Sequence, residues 1–86
     1  MIEPTVGRIV WFWEYGKGGA DQPSAAIVTY VYGPRSINLV QFTHMGEVRH
    51  HAGITLVQEG DPEPSSYFAE WMPYQIGQAK KHATTP

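Results

Sequence analysis

Eighty-six residues provide for one small domain with a single core and argue against a two-lobed enzyme with a cleft between its halves. Six Lys and Arg against eight Asp and Glu leave a net charge of −2, so the chain lacks the basic excess that draws proteins to phosphate backbones or anionic lipid. The absence of cysteine removes disulfides, thiol nucleophiles and cysteine-based metal centres together.

Charged residues make up 16% of the chain, below the roughly 25% of an average soluble domain, while aromatics reach 13%. Aromatic surface is therefore the chain's main resource. Met1-Ile2-Glu3-Pro4 carries no leader pattern, and the longest apolar run, Ile9 to Trp13, falls far short of the ~20 residues that span a bilayer. A soluble, cytoplasmic protein is expected.

The first ordered run is Val6 to Glu14, rich in β-branched and aromatic residues, and it ends at the Gly16-Lys-Gly-Gly-Ala-Asp-Gln-Pro23 loop. Ala25 to Tyr32 and Ile37 to Phe42 form a hairpin about Gly33-Pro34-Arg35. A turn at Met45-Gly46 leads to a short strand near Val48, and Gly53 introduces another, Ile54 to Gln58. After the polar loop Glu59 to Ser66, Tyr67 to Met72 offers a last strand, which Pro73 ends for want of an N–H. Pro73 can instead start a helix; Gly77 weakens it, so one short turn is expected before a frayed end.

Five or six short strands separated by one long loop and tight turns predict an all-β fold, a small SH3-like barrel with a short C-terminal tail or helical turn. An OB-like barrel would need a helix between its third and fourth strands, and nothing between Phe42 and Gly53 reads as helical. The domain is expected over residues 1–81, with a disordered tail at 82–86.

Alternation puts Val6, Arg8, Val10 and Phe12 on one face of the first strand and Ile9, Trp11, Trp13 and Tyr15 on the other. One face can fill a barrel, and the second needs a cover. Either the C-terminal segment with Trp71, Met72, Tyr74 and Ile76 folds over it, or Trp11 and Trp13, with Tyr30 and Tyr32 across from them, form a recognition surface.

Chemistry finds little support. His50 and His51 are adjacent, so strand geometry points them apart; the residues nominate no metal site and no cofactor. Ser24, Ser36, Ser65 and Ser66 lack a nucleophile elbow, Asp61 and Glu63 stand in a stiff exposed loop, and the Gly16 to Gly19 stretch has no following Lys-Ser/Thr or helix to make a phosphate loop. No enzyme is expected. Trp11, Trp13, Tyr30 and Tyr32 could stack bases, with Arg8, Lys17, Arg35 and Arg49 on phosphates, but the net charge opposes strong nucleic-acid affinity.

Pro4-Thr-Val-Gly-Arg-Ile-Val10, Ala25-Ala-Ile-Val28, Asn38-Leu39, Leu56-Val-Gln58 and above all Glu70-Trp-Met-Pro-Tyr-Gln75 with Gly77-Gln-Ala79 resemble a family of small uncharacterised proteins of tailed bacteriophages and prophages. The resemblance spans roughly Pro4 to Lys81; it implies a genomic setting but no activity and no functional residues. More loosely, Gly7-Arg-Ile-Val-Trp11 and Gln22-Pro-Ser-Ala-Ala-Ile-Val28 are similar in layout to the opening of PWWP and Tudor-like barrels, a likeness that bears on the fold rather than the ligand.

The expectation is a noncatalytic module in the host bacterial cytoplasm that binds a host or phage protein through Trp11, Trp13, Tyr30 and Tyr32, with Arg8 and Arg35 at the rim. Alternatives are a minor component of the phage particle and a weak single-stranded nucleic-acid binder. Self-association as a homodimer through the first strand is compatible with the first two.

Overall fold

The computed structural model describes residues 1–19 and 21–83, the side chains of 82 and 83 excepted. Five strands close into a barrel in sequence order: β1 (Ile9–Trp13), β2 (Ser24–Gly33), β3 (Ser36–Phe42), β4 (Val48–Val57) and β5 (Phe68–Glu70), followed by α1 (Pro73–Ala83). A 3₁₀ turn, Lys17–Gly19, interrupts the long β1–β2 loop. All neighbouring strands are antiparallel except β4 and β5, whose parallel pairing closes the ring. The fold is the small, SH3-like all-β barrel, and β3 passes to β4 by a tight turn where an OB barrel would insert a helix.

Alternation in β1 works as expected from Val10 onward: Val10 and Phe12 enter the main core with Ala26, Val28, Ile37, Leu39 and Leu56. Three boundaries differ from the sequence reading. The first strand starts at Ile9 instead of Val6, because a turn closed by Arg8 N–H to the Thr5 carbonyl precedes it and leaves Val6 exposed. The two strands expected around Val48 and at Ile54 are one, so the barrel has five strands: Gly53, at φ 64°, bends β4 within its length, and the β3–β4 register shifts there.

The C-terminal helix is also longer than one turn. Pro73 occupies its first position, and Gln75 Oε1 accepts the Met72 N–H at 2.8 Å, half of a capping box that starts the helix firmly. Ile76 packs against the core from its inner side. The helix continues through 82 and 83 of the expected tail, and 84–86 lie outside the described residues.

Gln58, just past β4, ties the elements together at this end. Its Oε1 accepts from Ile2 N and from Trp71 Nε1, at 3.1 and 3.2 Å, while its Nε2 donates to the carbonyls of Ile2 and Pro34, at 2.9 and 2.7 Å. The N-terminus, the β2–β3 turn and the Trp71 indole thus meet on one buried amide.

A second tie joins the β2–β3 turn to the loop after β4. Arg35 holds Asp61 in a fork, Nε to Oδ2 at 2.8 Å and Nη2 to Oδ1 at 3.2 Å. That guanidinium, helped by the Gln58 backbone N–H, lowers the Asp61 pKa below its ordinary 3.8. A carboxylate with a depressed folded pKa adds stability that is present above the unfolded value and is lost as pH falls through the folded one. Urea midpoints measured from pH 5 down to pH 2 should therefore decline less steeply in Asp61→Asn than in the natural chain; parallel slopes would show that the pair contributes nothing.

Candidate functional site

The structure separates the residues that the sequence grouped. Trp13 is 7% exposed, in a satellite core with Val57 and Phe68 on the outer side of the β1–β5–β4 seam. Its Nε1 donates to Glu70 Oε2 at 2.6 Å. Lys17 lies 5.6 Å from its ring and is bound by Glu63 and Glu70, at 2.5 and 3.2 Å, which raises the lysine pKa chiefly through the Glu63 bond. Gly16, at φ 76°, fits so closely under the Ser65 and Ser66 carbonyls that a Cβ would stand 3.0 Å from each oxygen. The cover over Trp13 is therefore the chain's own two loops, and Trp13 is not part of an open surface.

The C-terminal segment does not supply that cover. Trp71 is instead 2% exposed within the main core, with Arg8 stacked 5.7 Å from its ring, and Tyr74 faces solvent. Nor do the tyrosines face the tryptophans. Trp11 pairs with Ala25, so Tyr30 lies five residues further along β2, about 16 Å away at ~3.3 Å per residue. A bulge between Val28 and Tyr30 turns Tyr30 and Tyr32 outward together, their rings edge to face at 4.9 Å. Arg35, at the β2–β3 turn, is engaged by Asp61.

Register assembles a different surface. On the outer face of β1–β4, Ile9, Ile27, Val40 and His50 form one cross-strand row, and Trp11, Ala25, Phe42 and Val48 the next. Ile9, Phe42 and Val48 are 49%, 38% and 63% exposed, and Trp11, Ile27 and Val40 are half-buried. Tyr30 and Tyr32 extend the apolar face along β2 at 55% and 60% exposure. Ile27, Val40, Phe42 and Val48 were missed because each is unremarkable alone; the signal was that β2 and β3 read apolar on both faces of a two-sided pattern.

Inside the barrel mouth at the β3–β4 end is a polar net. Buried Gln41 donates from Nε2 to Ser24 Oγ and Glu14 Oε1, at 3.1 and 3.3 Å, and its Oε1 accepts from His51 Nε2 at 2.9 Å. Because the amide oxygen only accepts, His51 carries its proton on Nε2. Arg49 Nη1 reaches Glu14 Oε2 at 3.4 Å, and the His51 ring lies 4.7 Å from Phe12. His50 points to the outer face and His51 to the inner, as alternation requires. Among the described residues no three His, Asp or Glu side chains converge as metal ligands, and no helix is long and apolar enough to cross a membrane. Comparison with protein-family models, curated proteins and solved structures finds no match for this chain.

Proposed function

We propose that the chain is a noncatalytic protein-interaction module that docks a partner protein on the outer face of β1–β4. The observation that supports it is the pair of adjacent cross-strand rows, Ile9-Ile27-Val40-His50 and Trp11-Ala25-Phe42-Val48, which are apolar but for His50 at one end and partly exposed to solvent. Contiguous apolar surface of this kind marks interaction sites, and Trp, Tyr and Phe are the side chains that anchor them. Within the phage setting that the sequence resemblance implies, the partner is a host or phage protein met in the bacterial cytoplasm.

The nucleic-acid alternative draws less support from the charges. Lys17, Arg35, Arg49 and Lys80 are each held by a carboxylate, so phosphate binding would first have to break those pairs.

Phe42→Lys should leave the fold within about 1 kcal/mol of the natural chain, since Phe42 is a partly exposed surface side chain, yet lower partner recovery from infected-cell extract at least about tenfold. Tyr74→Lys, at an exposed position of α1, is the control. Equal recovery by both variants would put the contact elsewhere, and recovery of the chain within purified particles would make it a structural component.

A further inference from the structure

Lys17, Arg35, Arg49 and Lys80 each have a carboxylate partner, but Arg8 has none among the described residues. Its place follows from alternation. Arg8 has the inward phase of Val10 and Phe12 but stands just before β1, so its side chain lies over Trp71 at the end of the barrel. The backbone beneath it is held on both sides, Arg8 N–H by the Thr5 carbonyl at 3.2 Å and the Arg8 carbonyl by Val28 N–H at 2.9 Å. The guanidinium sits 5.7 Å from the centre of an indole that is 2% exposed and itself tied to Gln58. An arginine stacked on a fixed ring loses little freedom when it takes a ligand. Beside it, between the N-terminal segment and α1, is a depression of about 630 Å³, a size that accepts a small organic molecule. Ile2, Arg8, Tyr74, Gln75, Gln78 and Ala79 line it, with no acidic residue among them. Gln75 is engaged, its Oε1 by Met72 N–H and its Nε2 by the Ile9 carbonyl. The half-buried Gln78 amide has no hydrogen-bond partner among the described residues. Two unpartnered polar groups, a guanidinium and a carboxamide, thus border one hollow whose other walls include Ile2, Ala79 and Tyr74.

We propose that this depression binds a small monocarboxylate with an apolar body, of the size of a phenylalkanoate, its carboxylate held by the Arg8 guanidinium and the Gln78 amide. The guanidinium fork matches the two oxygens of a carboxylate, and the Gln78 amide nitrogen supplies a further donor beside it. The walls choose the body. An inorganic anion satisfies Arg8 but leaves Ile2 and Ala79 facing water, and an uncharged ring leaves the guanidinium unpaired. A ligand with one charged and one apolar end meets both parts of the site. None of the six lining residues belongs to the apolar rows on the outer face of β1–β4, so the site stands apart from docking there.

The test is an amide-resolved NMR titration of the full chain with 3-phenylpropionate, following the Trp71 Nε1–H and the Gln78 side-chain amide. Saturable shifts at both are expected, half complete at about 1 mM ligand or below. 3-Phenylpropionamide keeps the ring and loses the charge, whereas acetate and inorganic phosphate keep a charge and lose the ring. Each should bind at least about tenfold more weakly than 3-phenylpropionate. Gln78→Glu should weaken 3-phenylpropionate at least about tenfold, because it sets a carboxylate against Arg8 at a helix position that glutamate suits. Arg8→Gln should do the same. Because Arg8 also covers Trp71, the spectrum of that variant reports whether it is folded, and Gln78→Glu decides if it is not. No saturation in the millimolar range, equal binding of the amide, acetate or phosphate, or undiminished binding by Gln78→Glu would overturn the proposal. So would shifts centred away from Arg8 and α1.

Discussion

Trp13→Ala is expected to destabilise the protein by about 3–5 kcal/mol, the range for truncating a buried aromatic. Trp13 shares its small cluster with Val57 and Phe68, and it is also the platform on which two loops rest. The substitution removes the ring under Lys17 and the donor that Glu70 accepts, so the 16–19 turn and the 61–66 loop lose a common support. At roughly 0.05–0.15 kcal/mol per residue the whole domain holds only about 4–13 kcal/mol, so this one change takes a large share of it. Urea denaturation should show the midpoint falling with the slope conserved. Trp13→Phe, which keeps most of the ring and loses the hydrogen bond, should fall between the two. A Trp13→Ala protein as stable as the natural one would mean that the loops do not seal the cluster.

Gln58→Leu is expected to cost about 3 kcal/mol despite its similar volume. A leucine leaves the Trp71 indole N–H and the Pro34 carbonyl without partners in a buried place, at ~1–3 kcal/mol for each unsatisfied group. Ile2, nearer the surface, can turn to water. Gln58→Glu separates hydrogen bonding from packing. A carboxylate still accepts from Trp71 and Ile2, but it faces two carbonyls that formerly received protons. The folded state should raise that glutamate's pKa, so the deficit of Gln58→Glu should be largest at neutral pH and shrink as pH falls through the raised value. Thermal midpoints of the three proteins at pH 7 and pH 5 give the comparison. An unchanged Gln58→Leu would show that the amide's four bonds are replaced by water without loss.

Much of the fold was legible because barrel strands write their own punctuation. Gly33-Pro34 and Met45-Gly46 mark turns, and Val10 and Phe12 alternate with Trp11 and Trp13 in the phase that the core adopts. The second aromatic face was legible as a problem but not in its solution. Covering Trp13 depends on loop residues 16–19 and 61–66, whose composition is merely polar and flexible, and which meet it only after β5 has paired with β1. Position across strands was equally hidden. Tyr30 and Tyr32 could be assigned a shared face, yet a bulge at Val28/Tyr30 and the β1–β2 register set where that face lies. Gly53 misled for a related reason: a glycine that bends a strand reads in sequence like one that separates two. The outer apolar rows emerge only when three registers, across four strands, are stacked.

The same seam that closes the ring also orders its assembly. β2, β3 and β4 follow one another through short turns, so their ladders form among near neighbours in the chain, whereas Trp13 and Glu70 meet across a separation of 57 residues. Of these pairings that one closes the longest loop, so it carries the largest closure entropy. A three-stranded meander that waits for both ends of the chain is the natural order of folding, and ring closure by β1 and β5, with Gln58 gathering Ile2 and Trp71, is the step that converts it from a sheet into a barrel.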